Sequence, residues 1–177
     1  ARVYPPRIDS PEQLAGIERE LKTVISALES ALEQDPGDPE LLWRLGFAHT
    51  MAYNLDWPDS KDKLENYFKL LFEKDPENKF GHLFYGAHLA QAGKDDAQKS
   101  LYHLEKAYAY GFDVALTMMG TAYMQLGDTS KALECFKKMQ EKFPDDPQIN
   151  RLIEGLEKSV EYEGRGGFVN EDGSRSE

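Results

Sequence analysis

Few side chains in this 177-residue chain are placed to do chemistry. The four histidines are His49, His82, His88 and His103. A helical zinc site needs two histidines one turn apart with a glutamate between them, and no pair here meets that spacing. His82 and His88 are six residues apart, which puts them on different sides of a helix. Cys135 is the single cysteine, so an intramolecular disulfide and a cysteine-built metal site are both excluded. Beside Phe136 it reads as a core thiol rather than a nucleophile. Asn54, Asp56, Asp59 and Asp62 are close in sequence, but they lack the alternate spacing and the glycine of a calcium loop. Gly164-Arg165-Gly166-Gly167 lacks the Lys-Ser/Thr pair of a phosphate loop. The chemistry-bearing residues therefore point away from an enzyme and to no metal and no cofactor.

The charge points the same way. With 21 Lys and Arg against 32 Asp and Glu, the net charge is −11. Such a surface repels phosphate backbones and anionic lipid, so a nucleic-acid partner is not expected. No apolar run approaches the ~20 residues that span a bilayer. The chain starts Ala1-Arg2-Val3 without a methionine. A cleaved targeting segment or a trimmed start would each explain this, and export, as to a periplasm, is the expectation favoured over the cytoplasm.

The elements that carry these residues read as helices separated by Pro, Gly and Asp turns. Ser10-Pro11-Glu12-Gln13 is a helix start, with a capping serine, a proline suited to the first turn and a glutamine able to reach back. Leu14, Ile17, Leu21, Val24, Leu28 and Ala31 then recur at spacings of three and four, predicting one apolar stripe on a helix from Pro11 to about Gln34. Further helices are predicted at 39–54, 61–74, 79–92, 96–110, 113–126, 129–142 and 147–162. The breaks carry turn chemistry, as in Asp75-Pro76-Glu77-Asn78 and Phe143-Pro144-Asp145-Asp146-Pro147. No segment alternates like a strand.

A repeat underlies this rhythm. Gly86 and Gly120 are 34 residues apart, and Gly46 precedes Gly86 by 40. Each is mid-helix, where glycine costs roughly 1 kcal/mol against alanine. Three at matched places imply helices crossing too closely for a β-carbon. Within 113–146, Leu116, Met119, Gly120 and Tyr123, then Ala132, Phe136 and Pro144, stand at fixed offsets. This pattern resembles the 34-residue tetratricopeptide repeat (TPR). A copy at 79–112 keeps Tyr85, Gly86, Ser100, Leu104 and Ala107, with two extra residues between its helices and two fewer after them. A copy at 39–78 keeps Leu42, Leu45, Gly46, Leu64, Phe68, Leu71 and Pro76, with about six extra residues around Asn54 to Asp59. Val24, Leu28, Ala31 and Pro36 resemble a lone second helix. Ile149, Leu152, Ile153, Leu156 and Val160 resemble a capping helix. The resemblance implies an all-α, TPR-type α-solenoid of three helix-turn-helix repeats. Its parts are an extension at 1–10, a long helix at 11–36, repeats at 39–78, 79–112 and 113–146, a capping helix at 147–163, and a Gly-rich polar tail at 164–177.

The resemblance also implies a concave face lined by the first helix of each repeat. On that face it places Trp43, Phe47 and Met51, then Phe80 and Leu83, then Val114 and Met124. This row is apolar for a surface, and suits either packing or a groove for a partner's peptide or amphipathic helix. Some TPR proteins grip acidic chaperone tails with Lys, Arg and Asn. The corresponding positions here, Trp43, Phe47, Leu83, Ala87, Thr117 and Thr121, hold no such group, so that clamp is not expected. Trp57, in the extra loop of the first repeat, and Phe168, beside Val169 in the tail, are candidate secondary contacts. The leading expectation is a protein-interaction or assembly scaffold. The alternatives are a structural subunit or self-assembling protein, and an exported assembly factor of the kind that serves cytochrome c maturation.

Overall fold

The protein is described here by a computed structural model covering residues 10–165, with side chains to residue 161. The described residues form eight helices: α1 Pro11–Gln34, α2 Pro39–Asn54, α3 Ser60–Lys74, α4 Lys79–Ala92, α5 Lys94–Ala109, α6 Ala115–Leu126, α7 Thr129–Lys142 and α8 Pro147–Arg165. Their starts follow local chemistry. Ser10 Oγ accepts the Gln13 amide at 3.2 Å ahead of Pro11, and Asp38, Asn78 and Asp128 cap α2, α4 and α7 in the same way. Gly127 ends α6 in the left-handed region, φ 79°.

The helices pair as α2 with α3, α4 with α5 and α6 with α7, each pair packed closely, with α1 against α2 and α8 against α7. A β-carbon at Gly46 would stand 2.8 Å from Phe68 Cζ, one at Gly86 2.9 Å from Leu104 Cγ, and one at Gly120 2.6 Å from Phe136 Cζ. Each glycine therefore lies directly under a large second-helix side chain, and Phe68, Leu104 and Phe136 are fully buried there. The backbones of α2 and α4, and of α4 and α6, approach one another, whereas those of α3, α5 and α7 do not. The first helices thus form the inner, concave layer and the second helices fan out behind them. The core is a run of local clusters shared by neighbouring helices, such as Leu83, Leu104, Ala115 and Met119 between α4, α5 and α6. This is the all-α, TPR-type solenoid that the resemblance implies.

Three details differ from the sequence expectation, the simplest being that α8 runs to Arg165, two residues into the segment 164–177 expected as tail. In α1 the buried stripe is Leu21 and Ile25, flanked by half-buried Leu28 and Leu32, while Val24 is 50 % exposed and Ala31 is exposed. Spacings of three and four admit two interleaved stripes, and the seam against α2 takes the one through Ile25. In the middle hairpin the two extra residues are helical, because α5 starts at Lys94 and Gly93 alone links it to α4. The shortfall after α5 is met by α6 starting at Ala115 rather than 113. Residues 113–115 tighten into i→i+3 bonds, Ala115 N to Phe112 O and Leu116 N to Asp113 O.

Alanine at Gly120 should lower stability by about 2 kcal/mol, because overpacking against Phe136 outweighs the gain in helix propensity. Alanine at Gly155, where a β-carbon meets nothing within 4 Å, should raise it by about 0.5–1 kcal/mol. Urea unfolding of the two variants beside the parent checks both signs.

Candidate binding groove

The concave row is built from aromatic side chains that stack between successive first helices. Trp43 of α2 lies against Phe80 and Phe84 of α4, with ring centroids 4.8 and 5.6 Å apart. Phe47 meets Phe84 at 4.3 Å, and Phe80 meets Phe112, in the link before α6, at 5.7 Å. Residues 43, 47 and 53 face 80, 84 and 88 in order, since Tyr53 also meets His88. Gln125 of α6 reaches the Ala90 carbonyl at 2.6 Å. Helices α2, α4 and α6 therefore run parallel, and together they make the groove floor.

Trp43 and Phe80 are half-buried in the stack, while Phe47 is 36 %, Met51 40 %, Val114 43 % and Met124 43 % exposed. Leu83 departs from the expectation. It is 8 % exposed and packs with Ala115, Met119 and Ala122 in the core. One residue is a 100° step around a helix, and that step puts Phe84 in the groove and turns Leu83 toward α6. Phe84 and Phe112 are thus groove aromatics that the repeat positions alone do not single out. The spacing Phe80, Phe84, Ala87 and Gln91 is the signal that would have found Phe84. The Trp43 indole N–H donates to Glu40 Oε2 at 2.7 Å, and Arg44 also bonds Glu40, holding that carboxyl below its usual range.

Trp57 lies elsewhere. It packs with Leu21, Ile25 and Ala52, its ring lies under the Lys22 ammonium at 5.2 Å, and its N–H points to Glu18 Oε1 at 3.4 Å. The extra loop of the first repeat thereby fastens α1 to the array. Glu29 is a second fastening, with Lys63 Nζ, Tyr67 Oη and His49 Nε2 at 3.5, 3.4 and 3.8 Å from its Oε1. Phe168 and Val169 fall outside the described residues.

On the convex side, the wedge between α3 and α5 is filled by Phe72, Tyr85, His82 and His103. The His82 Nε2–H donates to the Pro76 carbonyl at 3.0 Å, which leaves Nδ1 to accept from His103 Nδ1–H at 2.9 Å. That chain requires His82, the accepting ring, to be neutral. Burial pushes His82 below its ordinary pKa, and burial with the nearby His82 and Lys106 takes His103 down to about 4. Burial likewise takes His88 to about 4. No group of three or more His, Cys, Asp or Glu side chains is placed to hold a metal among the described residues. Cys135 is buried, which raises its thiol pKa. The wider wedge between α5 and α7 is a cleft of about 390 Å³ lined by polar side chains such as Gln98, Glu105, Asp128 and Lys131.

Of the three hairpin glycines, Gly120 of α6 makes the closest approach, lying under Phe136 of α7 with Tyr123 and Ala132 packed around them. Residues 114–146 match the tetratricopeptide repeat family model. A TPR unit points to a protein–protein interaction scaffold and is typically non-catalytic. No curated protein matches the chain. No helix among the described residues is long and apolar enough to cross a membrane.

The histidines fix the direction of the acid response. Their folded pKa lies below the unfolded value, so unfolding takes up protons, and stability present near neutrality is lost as pH falls from about 6.5 towards about 4. Each such residue accounts for at most about 3 kcal/mol. Urea midpoints measured across that range should fall with acidity. A His103→Gln variant, which keeps a donor but does not titrate, should show a shallower fall.

Proposed function

We propose that the protein is a non-catalytic TPR scaffold that binds an apolar segment of a protein partner in the concave groove formed by α2, α4 and α6. What supports this reading is the row of Phe47, Met51, Val114 and Met124, each more than a third exposed, beside the stacked Trp43, Phe80 and Phe84. Aromatic rings supply rigid contact area at small entropic cost, and methionines adapt to the shape of what they meet. A helix or extended peptide laid across the floor would bury these side chains as the partner's anchors do in other groove-binding modes.

The test replaces Phe47 and Met124 together by Glu. Both are exposed, so circular dichroism should report an unchanged fold. Partner recovered in a pull-down should fall by about tenfold or more. Tyr102→Glu, on the convex side and 56 % exposed, serves as the control and should recover partner as the parent does. Equal recovery by the parent and the groove variant would refute the groove. Light scattering of the purified protein over a range of concentration tests whether the same face instead pairs two copies.

A further inference from the structure

The charge of this protein is arranged around the groove, and the arrangement selects a partner chemistry. Helices α2, α4 and α6 hold 16, 14 and 12 residues. Among all of them only Glu40, Arg44 and Lys79 are charged at neutral pH, and these three stand toward one end, in the first two turns of α2 and the first turn of α4. The floor of the groove is therefore uncharged over most of its length. The links between helices are the opposite. The segments 35–38, 55–59, 75–78, 93, 110–114, 127–128 and 143–146 contain ten Asp and Glu and not one Lys or Arg.

Because α2, α4 and α6 run parallel, these links fall on the two sides of the floor. Asp35, Asp38, Asp75 and Glu77 border the ends where the first helices begin. Asp56, Asp59 and Asp128 border the ends where they finish. Some of these residues are helix caps: Asp38 accepts from the Glu40 amide and Asp128 from that of Lys131. Capping needs an acceptor oxygen and not a charge, as Asn78 demonstrates at α4 by accepting from the Gly81 amide. Glu77, Asp113 and Asp128 are met by lysines from the second helices or from α7's own first turn: Lys106, Lys142 and Lys131. Those cations come from the second helices, and two more, Arg44 over the Trp43 ring at 4.9 Å and Lys79 over the Phe80 ring at 5.1 Å, lie on groove rings at the end where the first helices begin; among these border residues carboxylates still outnumber cations.

We infer that the occupant of the groove is an amphipathic helix whose apolar stripe is bordered on both long sides by Lys or Arg. This rests on the groove reading of the preceding section. Three parallel helices packed 8–10 Å apart offer a floor about 20 Å across, which a helix of roughly 14 residues spans. Lying across α2, α4 and α6, it sets its apolar stripe on Phe47, Phe84 and Met124. Its flanking cations reach the carboxylates of both borders, with steering from the net charge of −11.

The probes are two synthetic helical peptides with the same Leu/Ala stripe, one flanked by lysines and one by glutamates. The chain has two tryptophans. A Trp57→Phe variant therefore leaves Trp43, in the groove, as the sole indole, and its fluorescence reports occupancy. The lysine peptide should bind, weaken by about tenfold or more as salt is raised to screen the borders, and exceed the glutamate peptide by at least about tenfold at low salt. Adding Phe47→Glu should abolish binding even though it makes the protein more acidic, which separates docking from general attraction between opposite charges. If both peptides bind equally and Phe47→Glu releases both, the charge inference is overturned while the groove stands. If neither peptide changes Trp43, or Phe47→Glu leaves binding as it was, the groove reading itself falls.

Discussion

In each hairpin a glycine of the first helix lies beneath a large side chain of the second, and the rest of the array follows from that contact. Glycine in a helix costs roughly 1 kcal/mol. Full burial of Phe68 or Phe136 returns about 2–3 kcal/mol, but only if the opposing helix offers a hollow where a β-carbon would be. With that side of the first helix closed against its partner, a second side must meet the next first helix, as Leu83 and Ala90 of α4 meet α6. The third side then has no neighbour within the hairpins. That leftover side is the concave row.

The two layers of the solenoid solve different packing problems. On the inside, successive helices come close enough for Trp43, Phe47, Phe80, Phe84 and Phe112 to lie ring against ring. On the outside, the second helices diverge, and the space between α3 and α5 is filled by flat rings, two of them imidazoles. An imidazole is useful in such a wedge because it can both fill volume and satisfy the Pro76 carbonyl at the end of the preceding link. Protonating His82 at Nδ1 would keep that bond but remove the acceptor that His103 Nδ1–H uses, and it would place a charge among packed aromatic rings. Part of the acid response is thus set by side chains that also fill the fold's outer wedge.

Most of the architecture could be read from the sequence because the residues that decide it are local. Caps such as Ser10, prolines in first turns and the Gly46, Gly86 and Gly120 rhythm each act within a few residues, and they place the helices to within three residues. What escaped depends on rotation about a helix axis or on contact between distant segments. Leu83 and Phe84 are adjacent and equally apolar, and only the position of α6 decides which one is core. The α1 seam could run through Val24 or Ile25 until α2 is in place. Trp57 looks available in a loop until Lys22 and Glu18 of α1 close on it from more than thirty positions away. His82 and His103 gave no motif because their pairing crosses from α4 to α5.

The ring stack also limits how the array can bend. With centroids 4.3 to 5.7 Å apart, the inner face already stands at van der Waals contact and has nothing left to compress. The outer face has slack, in the 390 Å³ cleft between α5 and α7. At the α2–α4 junction the rings block tighter curling, and the filled wedge between α3 and α5 resists flattening. At the α4–α6 junction the open cleft leaves the outer helices room to close. The give of the array is therefore local to its second half, and in that half it widens the concave side.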